Sequence, residues 1–559
     1  MNIINAKKNF LFLLYILFNV LLVSILFLVH NGYLVVSFFV FGGHVRDVVA
    51  IVAHLLSSIY RKCVKVCCNR GSQSVHPSVA NRNFIYSLVP VYNEDLDMVT
   101  QNLDSLVAQK LPPGAINKVV LIFDGLNDKN TGLFNSINDL VVYDPEASMV
   151  SESQYYSWKT SDTCKLMYRE GTYNGLKIVV AHKSVNKGKK DSLIVGEKLI
   201  ENMYADDHDI IFSHGYQHTS SSAFVYHTDG DTVADENCLG ELLGSLIEDD
   251  TLDGVSSLIR VYNRGGLSRK AWTFAVMQDF QYFYSLMVRR MGESAFSATT
   301  CLPGCSNMIR LDHKTTAAIR NYGRIPTDTS GLLQTVTRMQ GTDRRYTTLM
   351  LREGARLRMN HKAVVYTEPP LDVGAFIRQR RRWSSNSFFN SVVMLYSQNI
   401  SMYVKFSSFI DVCRMFSTIF RLVSYVIFWF YLDEFSLYNI ILAAVFLVFP
   451  YMYCFMWAFF IVPNWMYIIV GFFMNKVFMP ILSVTSISKM YMTATNFDWG
   501  FKPSDISNTS SANVSNTTDD VQDEEDEDDV ETTVVNPMMV RQPMQPIIPV
   551  TVNPVVMEV

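Results

Sequence analysis

The chain has 559 residues and a mass of 63.7 kDa, with 49% hydrophobic residues, 13% aromatics and 18% charged residues. Soluble domains carry about 25% charge, so this composition excludes both a wholly soluble protein and a disordered one. The net charge of −4 averages two unlike parts: Ser504 onward holds twelve acids against one base, Arg541, and the body holds 47 bases against 40 acids, about +7, a balance that suits phosphorylated substrates and anionic lipid surfaces.

Phe10 to Val29 is an apolar run interrupted only by Asn19 and Ser24, long enough to cross about 30 Å of hydrocarbon. It lacks a small-residue cleavage site and reads as a retained anchor. Tyr33 to Phe41 is apolar, Gly42, Gly43, His44, Arg46 and Asp47 interrupt it, and Val48 to Tyr60 is amphipathic. The bases Arg61, Lys62, Lys65 and Arg70 place that end in the cytosol. With Lys7 and Lys8 on the same side, residues 1–80 are expected to form a helical hairpin, a single span being the alternative. Nine cysteines without paired CxxC sets fit reduced cytosolic thiols rather than a zinc module or a disulfide framework.

Residues 81–385 have soluble composition and α/β patterning. Buried strands are expected at Phe84 to Val89, Lys118 to Phe123, Lys177 to Ala181, Ala223 to Thr228 and Gly254 to Val261, with helices at Asp97 to Gln109 and Ser192 to Met203. This alternation predicts a mostly parallel sheet whose ligands lie beyond the carboxyl ends of its strands. Asn127 to Gly175 reads as an insertion at the sheet edge. Residues 386–405 suit an interfacial helix. Within 406–488 the span candidates are Phe406 to Leu432, Leu437 to Ile461 and Trp465 to Ile487, the last two interrupted by Pro450 and by Asn475, Lys476 and Pro480. If residues 489–503, which hold Trp499, form a cytosolic loop, the number of crossings before it is even, and the third candidate is then re-entrant rather than spanning. Residues 504–559 form an acidic tail that cannot bury enough apolar area to fold; Asn508, Asn513 and Asn516 each begin an Asn-x-Ser/Thr acceptor.

Three clusters carry chemistry. Asp229-Gly230-Asp231 closes a predicted strand, where two carboxylates can hold a hard divalent cation; a solvated turn is the competing reading, as it is for Asp124-Gly125. Asn186 to Ser192 sets three lysines and a glycine before a helix, where ammonium groups and the helix N-terminus attract phosphate oxygens; it lacks the spacing of a P-loop, and a solvated surface loop is the competing reading. Gln379-Arg380-Arg381-Arg382-Trp383 is basic, as cytosolic flanks of spans are. Its Gln and Trp fit a site where arginine forks bind diphosphate and an indole offers a flat face to a sugar ring.

Val89-Pro90-Val91-Tyr92-Asn93-Glu94, Asp124-Gly125, Gly188 to Ser192, Asp229-Gly230-Asp231, Cys301-Leu302-Pro303-Gly304-Cys305, Gly341-Thr342-Asp343-Arg344, Gln379 to Trp383 and Asp498-Trp499-Gly500 occur in the order and approximate spacing of chitin synthases. Over Asn81 to Lys502 the chain resembles these processive family 2 glycosyltransferases, whose catalytic domain has the Rossmann-like GT-A α/β fold. The Cys-Leu-Pro-Gly-Cys element separates chitin synthases from hyaluronan and cellulose synthases.

The resemblance implies a membrane enzyme that extends a chitin chain from UDP-GlcNAc, does not act on nucleic acid, uses Mg²⁺ or Mn²⁺ and leaves room for a homo-oligomer. It implies that Pro90, Tyr92, Glu94, Asp124, Lys190 and Asp229 hold the donor nucleotide, with Asp229 and Asp231 at the metal and Asp343 as catalytic base. Gln379, Arg380, Arg382, Trp383, Cys301, Gly304 and Trp499 would line the acceptor and diphosphate site. Thr342 stands where the family has Glu, and Asp498-Trp499-Gly500-Phe501-Lys502 departs from the family's Ser-Trp-Gly-Thr-Lys. Hyaluronan synthase is the alternative within the class. A catalytically dead scaffold and a transporter are the readings outside it.

Overall fold

The structure, a computed structural model, describes residues 2–29, 32–68, 83–126, 128–143, 151–156, 163–206, 222–262, 267–324, 326, 330–340, 343–427 and 437–495. Thr342, Trp499, the Asp498–Lys502 loop motif and the acidic tail with its Asn-x-Ser/Thr sites lie outside the described residues.

The chain opens with α1 (Asn2–Leu28) and α2 (Gly32–Cys68), which pack on each other. The polar stretch from Gly42 to Asp47, expected as a break, lies inside one uninterrupted helix. Its charges are satisfied within the bundle: Arg46 pairs with Asp47 at 2.8 Å and with Asp411 at 2.5 Å. Paired charges facing a bundle interior do not interrupt a helix, whereas unpaired ones facing lipid would.

The α/β domain follows in the order β1 (Asn83–Val91), α3 (Leu96–Val107), β2 (Ala115–Phe123), α4 (Asp128–Leu140), β3 (Val142–Tyr143), β4 (Ser151–Tyr156), β5 (Thr163–Tyr173), β6 (Leu176–Lys183), α5 (Lys189–Asp206), β7 (Ser222–Thr228), β8 (Val233–Ala234), α6 (Cys238–Glu248) and β9 (Gly254–Val261). Next come α7 (Arg269–Tyr284), a π-helical turn at Ser285–Arg290, α8 (Met291–Ser294), β10 (Ser306–Arg310), α9 (His313–Tyr322), α10 (Leu332–Gln340), α11 (Asp343–Arg352) and β11 (Leu357–Thr367).

The sheet order is β3-β5-β6-β2-β1-β7-β10-β9-β11-β8, with β4 on β5. Strands β6, β2, β1 and β7 run parallel, β10 is antiparallel to both neighbours, and β11 is parallel to β9. All five expected strands are present, and the expected edge insertion is α4 with the antiparallel strands β3 to β5. This mostly parallel sheet flanked by helices is the α/β architecture expected from the alternation of strands and helices. Alternation along β1 divides the core: Ile85, Val89 and Val91 face α3 and α6, while Tyr86 and Leu88 face α5.

After β11 come α12 (Val373–Tyr396), α13 (Met402–Phe416), α14 (Thr418–Ile427), α15 (Leu437–Ile461) and α16 (Met466–Met492). Helix α12 runs unbroken from the Gln-Arg-Arg-Arg-Trp motif to Tyr396, so no boundary falls at residue 386. The stretch expected as one span from Phe406 divides at Ser417 into α13 and α14, and α13 carries the buried Asp411. Helix α16 is continuous through Asn475, Lys476 and Pro480. Among the described residues four helical stretches are long and apolar enough to cross a membrane: Asn5–Leu28, Val36–Tyr60, Ala444–Ile461 and Met466–Met492. Phe10, Leu17, Phe460 and Ile481 on these helices are exposed, as side chains facing lipid are.

Candidate active site

The parallel strands β1, β2 and β7 end on one edge of the sheet, and each hands a polar segment to that edge. At the end of β2 the backbone N–H of Asp124 donates to the Val91 carbonyl at 2.9 Å, tying it to β1. Gly125 follows at φ +77°, and a Cβ there would fall 2.6 Å from the Asn186 backbone nitrogen. Only glycine fits this turn. The Asp124 carboxylate accepts from the backbone N–H of Lys187 at 3.0 Å and pairs at 2.5 Å with Lys183, a fully buried lysine that also pairs with Asp191 at 2.9 Å. Pro90 pairs in register only with Ile122 of β2, because the β1–β7 pairing stops at Leu88. A residue without an N–H is tolerated there. Tyr92 donates its backbone N–H to Glu94 at 2.6 Å.

Asp229-Gly230-Asp231 leaves β7 in a turn held by Asn102 of α3, whose side-chain amide donates to the carbonyls of Asp229 (3.1 Å) and Thr232 (2.6 Å). Burial pushes the Asp231 carboxyl up to about 7, and the charges of Asp229, Glu94 and Glu368 add to the effect against Lys189. Burial likewise raises Glu94 above the usual carboxylate range. Lys189 donates to Asp229; burial opposes its charge, but Asp229 and Asp343 outweigh burial and raise its pKa.

Lys190, expected at the diphosphate, does not share the contact that Lys189 makes with Asp229. It is buried, donates to the Arg338 carbonyl at 2.6 Å and sits 4.5 Å above the Tyr322 ring. Successive helix residues point about 100° apart, so the start of α5 sends one lysine to the carboxylates and the next into the core. Lys189 is the one that faces Asp229.

Asp343 begins α11. The Cys301 to Cys305 turn docks on that first helical turn through two hydrogen bonds: the Gly304 N–H to the Asp343 carboxylate at 3.1 Å, and the Leu302 N–H to the Thr347 hydroxyl at 2.9 Å. A Cβ on Gly304 would lie 3.6 Å from both the Asp343 carboxyl carbon and the Lys189 Nζ. The turn therefore brings Asp343 beside the Lys189–Asp229 pair. Burial pushes the Cys301 thiol up to about 11 and Cys305 well above the usual range, so both stay neutral and neither is a thiolate nucleophile.

Helix α12 presents its motif residues on different faces. The Gln379 side-chain oxygen is buried without a hydrogen-bond partner among the described residues. Burial lowers the Arg382 pKa, as does Arg381, while the Asp343 charge opposes them, which puts the guanidinium in the field of the Asp343 carboxylate. Arg380, expected at the acceptor and diphosphate site, is buried over Trp383 (4.3 Å) and Phe376 (4.8 Å) and donates to Gln278 at 3.3 Å. Trp383 is 45% exposed, with its ring 6.0 Å from Tyr282. Arg380 thus acts on the indole that remains open.

Sequence reading missed Lys183, Asn102, Tyr282 and Glu368. Glu368 follows β11 at a strand end, the one signal that marked it. Asp229 and Asp231 provide hard oxygen donors, and their mutual repulsion is what a divalent cation relieves. Among the described residues no three His, Cys, Asp or Glu side chains already form a ligand set. Two carboxylates completed by nucleotide phosphate oxygens are a usual way to hold Mg²⁺, so the residues fit a metal.

Residues 174–535 match the family described as chitin synthase. Chitin synthase 8 of Gibberella zeae is 26% identical over 360 residues, covering 61% of this chain and 53% of that protein. Chitin synthase 8 of Verticillium dahliae is 25% identical over 368 residues, covering 58% and 59%. The chain spans about half the length of these curated relatives. Among solved structures, the mannosyltransferase PcManGT from Pyrobaculum calidifontis, in complex with GDP-Man and Mn2+, is 15% identical with a TM-score of 0.38, over 77% of this chain and 99% of that one. With the family match extending over more than half of its length, from the turn before β6 into the acidic tail, the chain belongs to the chitin synthase family.

Proposed function

We propose that this protein is a chitin synthase in activity as well as in family: it transfers GlcNAc from UDP-GlcNAc to the non-reducing end of a β-1,4-linked chain, with inversion, and passes the polymer across the membrane. The observation that carries this reading is the convergence at the Cys301–Cys305 turn, where Asp343 lies beside Lys189 and the Asp229-Gly230-Asp231 turn.

In the reaction, the 4-hydroxyl of the chain-terminal sugar attacks the anomeric carbon of the donor. Asp343 takes the hydroxyl proton as the C–O bond forms. The bond to the diphosphate breaks on the opposite face, and UDP leaves with the electron pair. Lys189 and Arg382 stabilise the charge gathering on the diphosphate, the electrostatic contribution that is usually largest. A Mg²⁺ or Mn²⁺ ion held by Asp231 and Asp229 would add charge stabilisation at the diphosphate. Asp124, fixed by Lys183, and Glu94 with Tyr92 bound the nucleoside end. Trp383 and Gln379 orient the acceptor, and a fixed acceptor oxygen is worth several orders of magnitude in rate. The catalytic domain lies in the cytosol, where the donor is, of a multi-pass protein at the plasma membrane, and the helices around α12 form the exit path.

The test is incubation of purified membranes with UDP-GlcNAc and a divalent metal. An insoluble polymer that chitinase degrades is the expected product. A polymer made only when UDP-glucuronate is also supplied would make the protein a hyaluronan synthase, and UDP binding without polymer would overturn both.

A further inference from the structure

A cavity of about 380 Å³ lies inside the helix bundle, walled by α2, α7 with the π-helical turn, α13, α14, α15 and α16, and none of the candidate active-site residues lines it. Its described lining holds five cations, Arg46, Arg289, Arg414, Arg421 and Lys476, against the carboxylates Asp47 and Asp411. Both carboxylates are already committed. Asp47 pairs with Arg46 at 2.8 Å and accepts from the Tyr284 hydroxyl at 2.9 Å, and Asp411 pairs with Arg46, with Arg289 and, at 3.3 Å, with Arg344.

Setting Arg421 aside, the excess charge rests on Arg414 and Lys476. Neither has a carboxylate partner among the described residues. Lys476 donates to the Tyr451 hydroxyl and lies 4.2 Å over that ring. The Arg414 guanidinium is seated against Gly43, where a Cβ would fall 1.8 Å from its Nη1. His44, also in the lining, keeps a buried Nδ1 without a hydrogen-bond partner among the described residues. Lys476, Arg46 and His44 lie well inside span candidates. Uncompensated charge at that depth is strongly unfavourable, and ionisable residues there ordinarily face a ligand or ion path.

We propose that this cavity binds a phosphate group. Arg414 on α13 and Lys476 on α16 reach the cavity from two helices, and His44 of α2 adds a ring nitrogen from a third, which matches a tetrahedral oxyanion with oxygens in several directions. Arginine forks favour phosphate oxygens, and the ammonium of lysine adds a point charge. The phosphate comes either from the headgroup of an anionic lipid or from the aqueous phase.

The test uses the full-length protein in nanodiscs without UDP. In phosphatidylcholine discs, orthophosphate is compared with chloride at equal ionic strength. In a second arm, phosphatidylglycerol discs are studied in phosphate-free buffer. A soluble source raises the unfolding midpoint by a few degrees with orthophosphate in the first arm, and a lipid source raises it with phosphatidylglycerol in the second. In either case Arg414→Gln with Lys476→Gln weakens the response about tenfold or more, the scale of a lost charge-assisted hydrogen bond. Should that double variant fail to fold, Gly43→Ala is read the same way, since it displaces the Arg414 guanidinium while every charge is kept. Equal midpoints in all conditions overturn the proposal. So does a response that these variants leave unchanged but Lys189→Gln removes, which would assign the phosphate to the nucleotide site.

Discussion

Asp231 couples the candidate site to pH. Its carboxyl titrates at about 7 against an ordinary 3.8, so between those values the folded protein holds a proton that the unfolded chain has released. That contribution to stability is complete below about 4 and is lost as pH rises through 7. Metal binding needs the carboxylate, so Mn²⁺ affinity, measured by calorimetry with UDP present, should fall about tenfold per pH unit below 7 and level off above it; Asp231→Asn should remove that slope. Asp343→Asn keeps size and the Gly304 contact while removing the base, and should lower polymerisation by about 10²–10⁴-fold with UDP binding unchanged. Full polymerisation by this variant would sink the mechanism. Asp229 and Asp231 stood out in the sequence as carboxylates at a strand end, and Asp343 only through the motif that resembles the family's. The choice between Lys189 and Lys190 was not legible there, since it depends on the rotation at which α5 begins, and neither residue type nor spacing encodes that.

Asn19 shows the same limit at the level of the element. In the sequence it only interrupts an apolar span. In the structure its side chain accepts from the Phe420 N–H (2.8 Å) and donates to the Phe416 carbonyl (2.7 Å), satisfying backbone groups freed where α13 gives way to α14. In a bundle without water those groups need a partner. Asn19→Leu, although it makes the span more apolar, should therefore lower the stability of the detergent-solubilised protein by about 1–3 kcal/mol. Asp411 has a larger reach. It holds Arg46 of α2, Arg289 of the π-helical turn and Arg344, the residue after Asp343, to one point on α13. Asp411→Ala leaves three guanidinium groups without this carboxylate and should cost about 3–5 kcal/mol, read as a lowered unfolding midpoint. Unchanged midpoints in both variants would show that these contacts do not hold the bundle together.

On the scale of the whole molecule, one apolar core runs from the sheet face at Val91 and Leu258 through Phe280 and Phe283 of α7 to Cys454, Ala458 and Ile468 of α15 and α16. Gly471 lets α16 approach α7 closely, since a Cβ there would fall 2.4 Å from the Val276 carbonyl oxygen. In the proposed function, this continuity lets the α/β domain deliver polymer directly into the membrane helices. In proteoliposomes with outward-facing catalytic domains, polymer made from external UDP-GlcNAc should be protected from added chitinase until detergent is supplied. The tail sites Asn508, Asn513 and Asn516 should remain unglycosylated in a secretory host, and glycan there would reverse the assigned orientation. The sequence by itself determined the fold class, the family, the acidic and basic partition of charge and the carboxylates at strand ends, because strand alternation, composition and motif order are local properties of the chain. Only the tertiary structure decided which lysine faces Asp229, why Arg46 and Asp47 can lie within a helix, and that a cation-rich cavity sits in the bundle. Each of these depends on groups apart in sequence, 40 residues for Lys189 and Asp229 and 365 for Arg46 and Asp411, being brought within a few ångströms, where low dielectric makes pairing or its lack decisive.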